Sequence, residues 1–158
     1  MIARIESRSD GRSWILLEAE FPGVSAPSLF TWFSQPSLLS NWWAPQATIE
    51  PWVGGRYHLC WPDRDWRMSG RVTSWSEGIA LGFTWQWDHE PEVRTTEVHM
   101  ALEQGVDRTK LTLHHGPYDP REVNKALPEQ HIEGWLHFLS RLEAALQETK
   151  GDAPCTAG

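Results

Sequence analysis

Cysteine is scarce, with two residues in a chain of 158. Cys60 lies in a strand-like run and Cys155 in a tail of small residues, a poor pairing for a structural disulfide. No apolar run approaches the roughly 20 residues that cross a bilayer, and the opening MIARIESRSDGRS lacks the apolar core of a secretory signal. These absences predict a soluble, cytoplasmic protein with no membrane attachment. A basic face is missing as well. The 14 Lys and Arg are scattered through a chain of formal net charge −7 and pI near 5.4, so nucleic acid is excluded as a partner. No HExxH, CxxC, GxSxG or Gly-rich phosphate loop occurs. His114 and His115 would point to opposite faces of a strand, and His131 and His137, six apart on a helix, diverge by about 240°. No metal and no cofactor are expected. Repeats, low-complexity segments and linkers are also missing, so residues 1–149 are expected to form one domain and 150–158 a flexible tail.

Tryptophan is abundant: 11 of the 158 residues. Such an excess means an unusually aromatic core or a cavity lined with rings. The stretch SNWWAPQ sharpens the choice, because neighbours in one regular element cannot share a face. Trp42 and Trp43 would oppose each other on a strand and diverge by about 100° on a helix.

Periodicity gives the elements. Residues 12–21 read as a strand closed by Pro22-Gly23. Residues 25–33 read as a short helix with Ser25 as N-cap and an apolar face of Leu29, Trp32 and Phe33. A second short helix is predicted over 37–42. Strands follow over 46–51, 56–61, 66–75, 79–87, 93–104 and 108–116, joined by short turns, the pattern of an antiparallel meander. Alternation puts Leu81, Phe83, Trp85 and Trp87 on one face, with Val98, Met100 and Leu102, and Leu111 and Leu113, on the same apolar side. A helix over 128–148, with a stripe of Ile132, Trp135, Leu136, Leu139, Leu142 and Leu146, covers that side. The predicted fold class is α+β, a helix-grip of order β-α-α-β6-α with a long C-terminal helix across a curved antiparallel sheet. The gap between helix and sheet is a natural cavity.

Several short motifs occur in a specific order over residues 12–148: Asn41-Trp42-Trp43-Ala44-Pro45, Gly54-Gly55, Gly70-Arg71-Val72, Phe83-Thr84-Trp85, Thr109 to Leu113 with His114, and Glu133-Gly134-Trp135. In these the chain resembles the heat-shock-protein-90 ATPase activator-like branch of the START-like (polyketide cyclase-like, SRPBCC) superfamily. One departure is Trp52, where relatives often carry a basic residue two positions before the Gly-Gly pair. The resemblance implies a helix-grip fold and an apolar cavity for a small hydrophobic ligand, sometimes with cyclisation, hydration or hydrolysis chemistry added. A co-chaperone of that type engages its chaperone through a separate N-terminal domain, for which this chain is expected to have no room.

The leading expectation is binding of a small apolar or aromatic ligand between sheet and final helix, with Trp43, Tyr57, Trp61, Trp85, Trp87, Met100, His115, Trp135 and Leu139 as the wall. Catalysis stays open. His115 shares the inward face of Leu111 and Leu113, and Tyr118 lies where the chain swings toward the helix, so these two are the candidates for a cyclase- or hydrolase-like acid or base. A third alternative is a chaperone-accessory or homodimeric interaction module using exposed tryptophans.

Overall fold

The computed structural model of the chain describes residues 1–151, so the tail expected at 150–158 lies, beyond Gly151, outside the described residues. These residues form nine strands and three α-helices, with one short 3-10 turn over Pro62–Arg64. The strands are β1 (Ile2–Ser7), β2 (Ser13–Pro22), β3 (Gln46–Ile49), β4 (Tyr57–Trp61), β5 (Trp66–Ser69), β6 (Val72–Ser76), β7 (Ala80–Trp87), β8 (Thr96–Gln104) and β9 (Arg108–Tyr118). The helices are α1 (Ala26–Ser34), α2 (Pro36–Leu39) and α3 (Pro128–Gly151). The sheet is antiparallel, curved and unclosed, in the order β1-β2-β9-β8-β7-β5-β4-β3 with β6 also on β7, and α3 lies across it. This is the predicted helix-grip α+β fold.

Two strand counts differ from the expected order. An additional strand, β1, pairs with β2 from Ile2↔Glu18 to Ser7↔Ser13. The strand expected over 66–75 is two, which lie end to end along β7: β5 opposite Trp87 and Gln86, β6 opposite Phe83 to Ala80. The break falls at Gly70. A Cβ there would collide with the Thr84 carbonyl oxygen and stand 2.9 Å from that of Tyr57, so only glycine admits this approach of three chain segments. The run after α2 therefore counts seven strands rather than six.

Alternation builds the inner face as predicted. Cross-strand rows run Leu17–Leu113–Met100–Leu81 and Ile15–His115–Val98–Phe83, and all eight residues are buried. Trp135, Leu139 and Leu142 of α3 close over this face and are buried too. No helix among the described residues is long and apolar enough to cross a membrane.

The Trp42-Trp43 pair follows α2 in irregular backbone, which frees both rings from the geometry of one element. Both are buried and stacked on each other, with centroids 5.1 Å apart. Trp42 turns beneath α1 against Phe33, and its indole N–H donates to the Trp32 carbonyl at 3.0 Å. Trp43 turns the other way, toward Trp85 and Trp135.

Candidate functional site: an aromatic cavity between sheet and helix

A cavity of about 370 Å³ opens where α3 parts from the sheet. That volume falls in the ordinary range of small-molecule sites. Its buried end is formed by Trp43, Trp61, Trp85, Thr96, His115 and Trp135. Trp66, Trp87 and Phe138 extend the aromatic wall outward, and the exposed rim carries His89, Arg94, Lys125, Leu127 and Gln130. Each contribution follows from local structure. Trp85 and Trp87 alternate inward from β7, Thr96 faces Trp85 across the β7–β8 ladder, and Trp61 is the last residue of β4. The Trp61 indole N–H donates to the Trp43 carbonyl at 2.7 Å, which fixes the double-Trp segment against the sheet. From α3, His131, Gly134, Trp135 and Phe138 fall on one side at helical spacing. A Cβ added at Gly134 would meet nothing within 4 Å, so this glycine leaves room on the cavity side of the helix.

The polar groups at the buried end form an ordered relay. The Trp135 indole can only donate, and it donates to His115 Nδ1 at 3.0 Å. His115 is therefore neutral with its proton on Nε2, and this N–H donates to Thr96 Oγ1 at 2.8 Å. Burial, and then the neighbouring His131, holds His115 well below the usual imidazole range. The His131 ring stacks on His115 with centroids 4.7 Å apart, and its Nδ1 lies 2.5 Å from the Tyr118 hydroxyl. Burial lowers His131 to about 4 and raises the Tyr118 phenol. One buried polar atom in the wall is left over: Trp85 Nε1–H has no partner among the described residues.

Two walls of the mouth are separate loops. Residues 88–95 are held by Gln86, whose amide donates to the carbonyls of Val93 (2.7 Å) and Glu90 (3.2 Å) and accepts from the Thr95 hydroxyl. Residues 119–127 face them, and Arg94 spans the gap to Glu122 at 2.6 Å. Among the described residues, no group of three or more His, Cys, Asp or Glu side chains is placed to hold a metal ion.

Six of the residues singled out in the sequence come together in this wall: Trp43, Trp61, Trp85, Trp87, His115 and Trp135. Tyr57, Met100 and Leu139 lie in the core instead, Tyr57 stacked on Phe83 and donating its hydroxyl to the Phe33 carbonyl. Tyr118 is buried behind His131 rather than in the wall. Sequence reasoning weighed His131 only as a metal ligand and passed over Thr96. Each carried a usable signal: His131 is four residues before Trp135, and Thr96 has the parity of Val98 and Met100.

Residues 24–147 match the family described as Activator of Hsp90 ATPase homolog 1-like protein. No curated protein sequence matches the chain significantly. Among solved structures, the chain is similar to protein MLL2253 from Mesorhizobium loti (21% identity, 86% of this chain and 98% of that one, TM-score 0.72). It is also similar to PFC0360w, an HSP90 activator from Plasmodium falciparum (20% identity, 85% and 96%, TM-score 0.69). A third similar structure is DynU16, a protein in the dynemicin biosynthetic locus (18% identity, TM-score 0.71). The match covers 85% of this chain and 47% of DynU16, about half of that protein's length. At these identities the likeness is one of fold.

Proposed function

The chain belongs to the Activator of Hsp90 ATPase homolog 1-like family, within the START-like superfamily, and from that premise we propose that it binds a small apolar or aromatic ligand in the cavity between sheet and α3. The observation that carries this reading is the cavity itself: about 370 Å³, walled by tryptophans, buried at one end and open between two loops at the other. Ring stacking and apolar burial supply affinity, and a few polar groups orient the ligand. The catalytic alternative has less to work with. Both ring nitrogens of His115 are engaged, and Tyr118 is hydrogen-bonded behind the wall. The interaction-module alternative relied on exposed tryptophans, and of the 11 only Trp52, at 56% exposure, stands largely in solvent.

Gly134 supplies the test. Gly134→Leu places a side chain in the cavity while removing a helix-interior glycine, which by itself favours the helix by up to about 1 kcal/mol. Native mass spectrometry of the purified protein should show a non-covalent mass of a few hundred daltons that leaves on denaturation and is missing from folded Gly134→Leu. A bare chain mass in both proteins, unchanged after soaking with aromatic and acyl compounds, would mean that the rings serve packing alone.

A further inference from the structure

The sheet is unclosed, so it ends in two strands, β1 and β3, each with an edge that no further strand covers. A free edge offers a row of backbone donors and acceptors to any other strand, and proteins blunt such edges with short length, proline, bulges or inward charges. β3 is blunted: it has four residues and lies between Pro45 and Pro51. β1 is not. Its six residues contain no proline, and their register runs from Ile2↔Glu18 to Ser7↔Ser13 without a bulge. Among the described residues, no backbone bond outside the β1–β2 ladder involves Ile2–Ser7. The positions opposite Leu17 and Ile15 on the inner face are Ala3 and Ile5, neither charged. Ile5 extends the inner row of Ile15, His115, Val98 and Phe83, yet it is 39% exposed because the row stops there.

The order of charges along β1 selects what can cover this edge. In an antiparallel ladder the backbone groups of alternate residues point to alternate sides, so the residues of β1 with free groups are every second one. Two copies related by a two-fold axis must match free residues with free residues, which places the axis on a residue. An axis on Arg4 sets Arg4 against its own copy, and an axis on Glu6 does the same to Glu6; both oppose like charges. An axis on Ala3 leaves Glu6 beyond the paired segment. An axis on Ile5 sets Arg4 of each copy opposite Glu6 of the other, Ala3 opposite Ser7, and Ile5 opposite Ile5. Arg4 and Glu6 already pair within the strand at 3.1 Å. The Ile5 register therefore gives four alternating charges on one face and an apolar pair on the other.

We propose that β1 is the interface for a second copy of this chain: two β1 strands pair antiparallel about an axis at Ile5 and continue the sheet from one copy into the next. The charge pairs fix the register, and each Ile5 covers the other. A seam of two short strands is a small interface, so the dimer is weak and dissociates on dilution. No residue of β1 lines the cavity, so this pairing stands or falls separately from the ligand-binding reading.

Sedimentation equilibrium of the chain, untagged at its N-terminus, should show a monomer–dimer equilibrium between micromolar and millimolar concentration. Arg4→Glu alone, or Glu6→Arg alone, turns both charge pairs across the axis into like-charge pairs and should weaken association about tenfold or more. An equimolar mixture of the two variants restores unlike pairs in a mixed dimer and should associate about as tightly as the wild type. In the wild type, hydrogen exchange followed by NMR should slow with rising concentration at alternate amides of residues 2–7 and stay unchanged in β3. That readout decides the matter even if a variant does not fold. A wild type that stays monomeric at millimolar concentration overturns the proposal. A dimer that neither variant weakens, with exchange in β1 unchanged, places the interface elsewhere and overturns it too. Two weakened variants that do not rescue each other overturn the register about Ile5 and the pairing argued from it.

Discussion

Two side chains complete the hydrogen bonding of a helix that ends at a proline. The Trp32 carbonyl, in the last turn of α1, would ordinarily accept from the amide of residue 36, but that residue is Pro36 and has no N–H. The Trp42 indole takes its place at 3.0 Å, and the Tyr57 hydroxyl caps the next carbonyl, that of Phe33, at 2.5 Å. Trp42 and Tyr57 are fully buried, so removing either donor leaves a carbonyl without water to replace it. Trp42→Phe and Tyr57→Phe should each cost about 1–3 kcal/mol by urea denaturation, roughly 2–4 °C in melting temperature per kcal/mol for a chain of this size. Ligand affinity should not change in either variant, since neither residue lines the cavity. Weakened binding at unchanged stability in Tyr57→Phe would instead return that residue to the ligand wall.

At the scale of elements, the cavity depends on a loop with little core of its own. Residues 88–95 are all exposed or half-exposed. The first of them are tied down by Asp88, bonded to Arg67 and Ser69 of β5, and by the Glu90 amide on the Trp87 carbonyl. Gln86 of β7 holds the carbonyls of Glu90 and Val93 and the Thr95 hydroxyl. Gln86→Ala should therefore act on the mouth and not on the fold. The expected result is faster amide exchange over residues 88–95 and several-fold weaker ligand binding, with a melting temperature within about 2 °C of wild type, as for a solvent-side change. A large drop in melting temperature would show that the loop belongs to the cooperative unit. This clamp was not legible in the sequence, because a polar Gln between Trp85 and Trp87 reads simply as the outward side of a strand. The same holds for β1. Ile2 and Ile5 are three apart and break the two-residue period, and at 63% and 39% exposure they bury too little to leave a pattern. What could be read were elements with one dry face, such as β7 to β9 and α3, where burial enforces alternation or helical spacing. Six of nine proposed wall residues meet at one cavity for that reason. Tyr57, Met100 and Leu139 share the inward parity but sit deeper along their elements, and parity carries no depth.

For the molecule as a whole, a fully buried and a half-buried histidine couple folding to pH. His115 and His131 are neutral in the fold, lowered chiefly by burial, whereas an unfolded chain would protonate them near 6.5. The sign follows from linkage: a base whose folded pKa is depressed stabilises fully above its unfolded value. That stability is lost as pH falls, because the unfolded chain then takes up a proton that the fold refuses. For His131, lowered to about 4, the window runs from about pH 6.5 down to 4, at up to about 1.4 kcal/mol per pH unit and about 3 kcal/mol in all. The carboxylates do not confuse it. Glu50, held down by Arg56, and Asp119, lowered to about 2 by Arg121, lose their contributions only below their unfolded values of 4.5 and 3.8. His58 and His114, lowered mainly by partial burial, add in the same direction but are half-exposed. Urea midpoints measured from pH 7.5 to 4.5 should therefore fall steadily below pH 6.5. His131→Gln, which keeps an acceptor for the Tyr118 hydroxyl and titrates nothing, should flatten that slope by about half, with His115 supplying most of the remainder. An unchanged slope in the variant would mean that His131 is hydrated enough in the fold to take its proton there. The ring stack with His115 would then have to accommodate a charge next to the ligand.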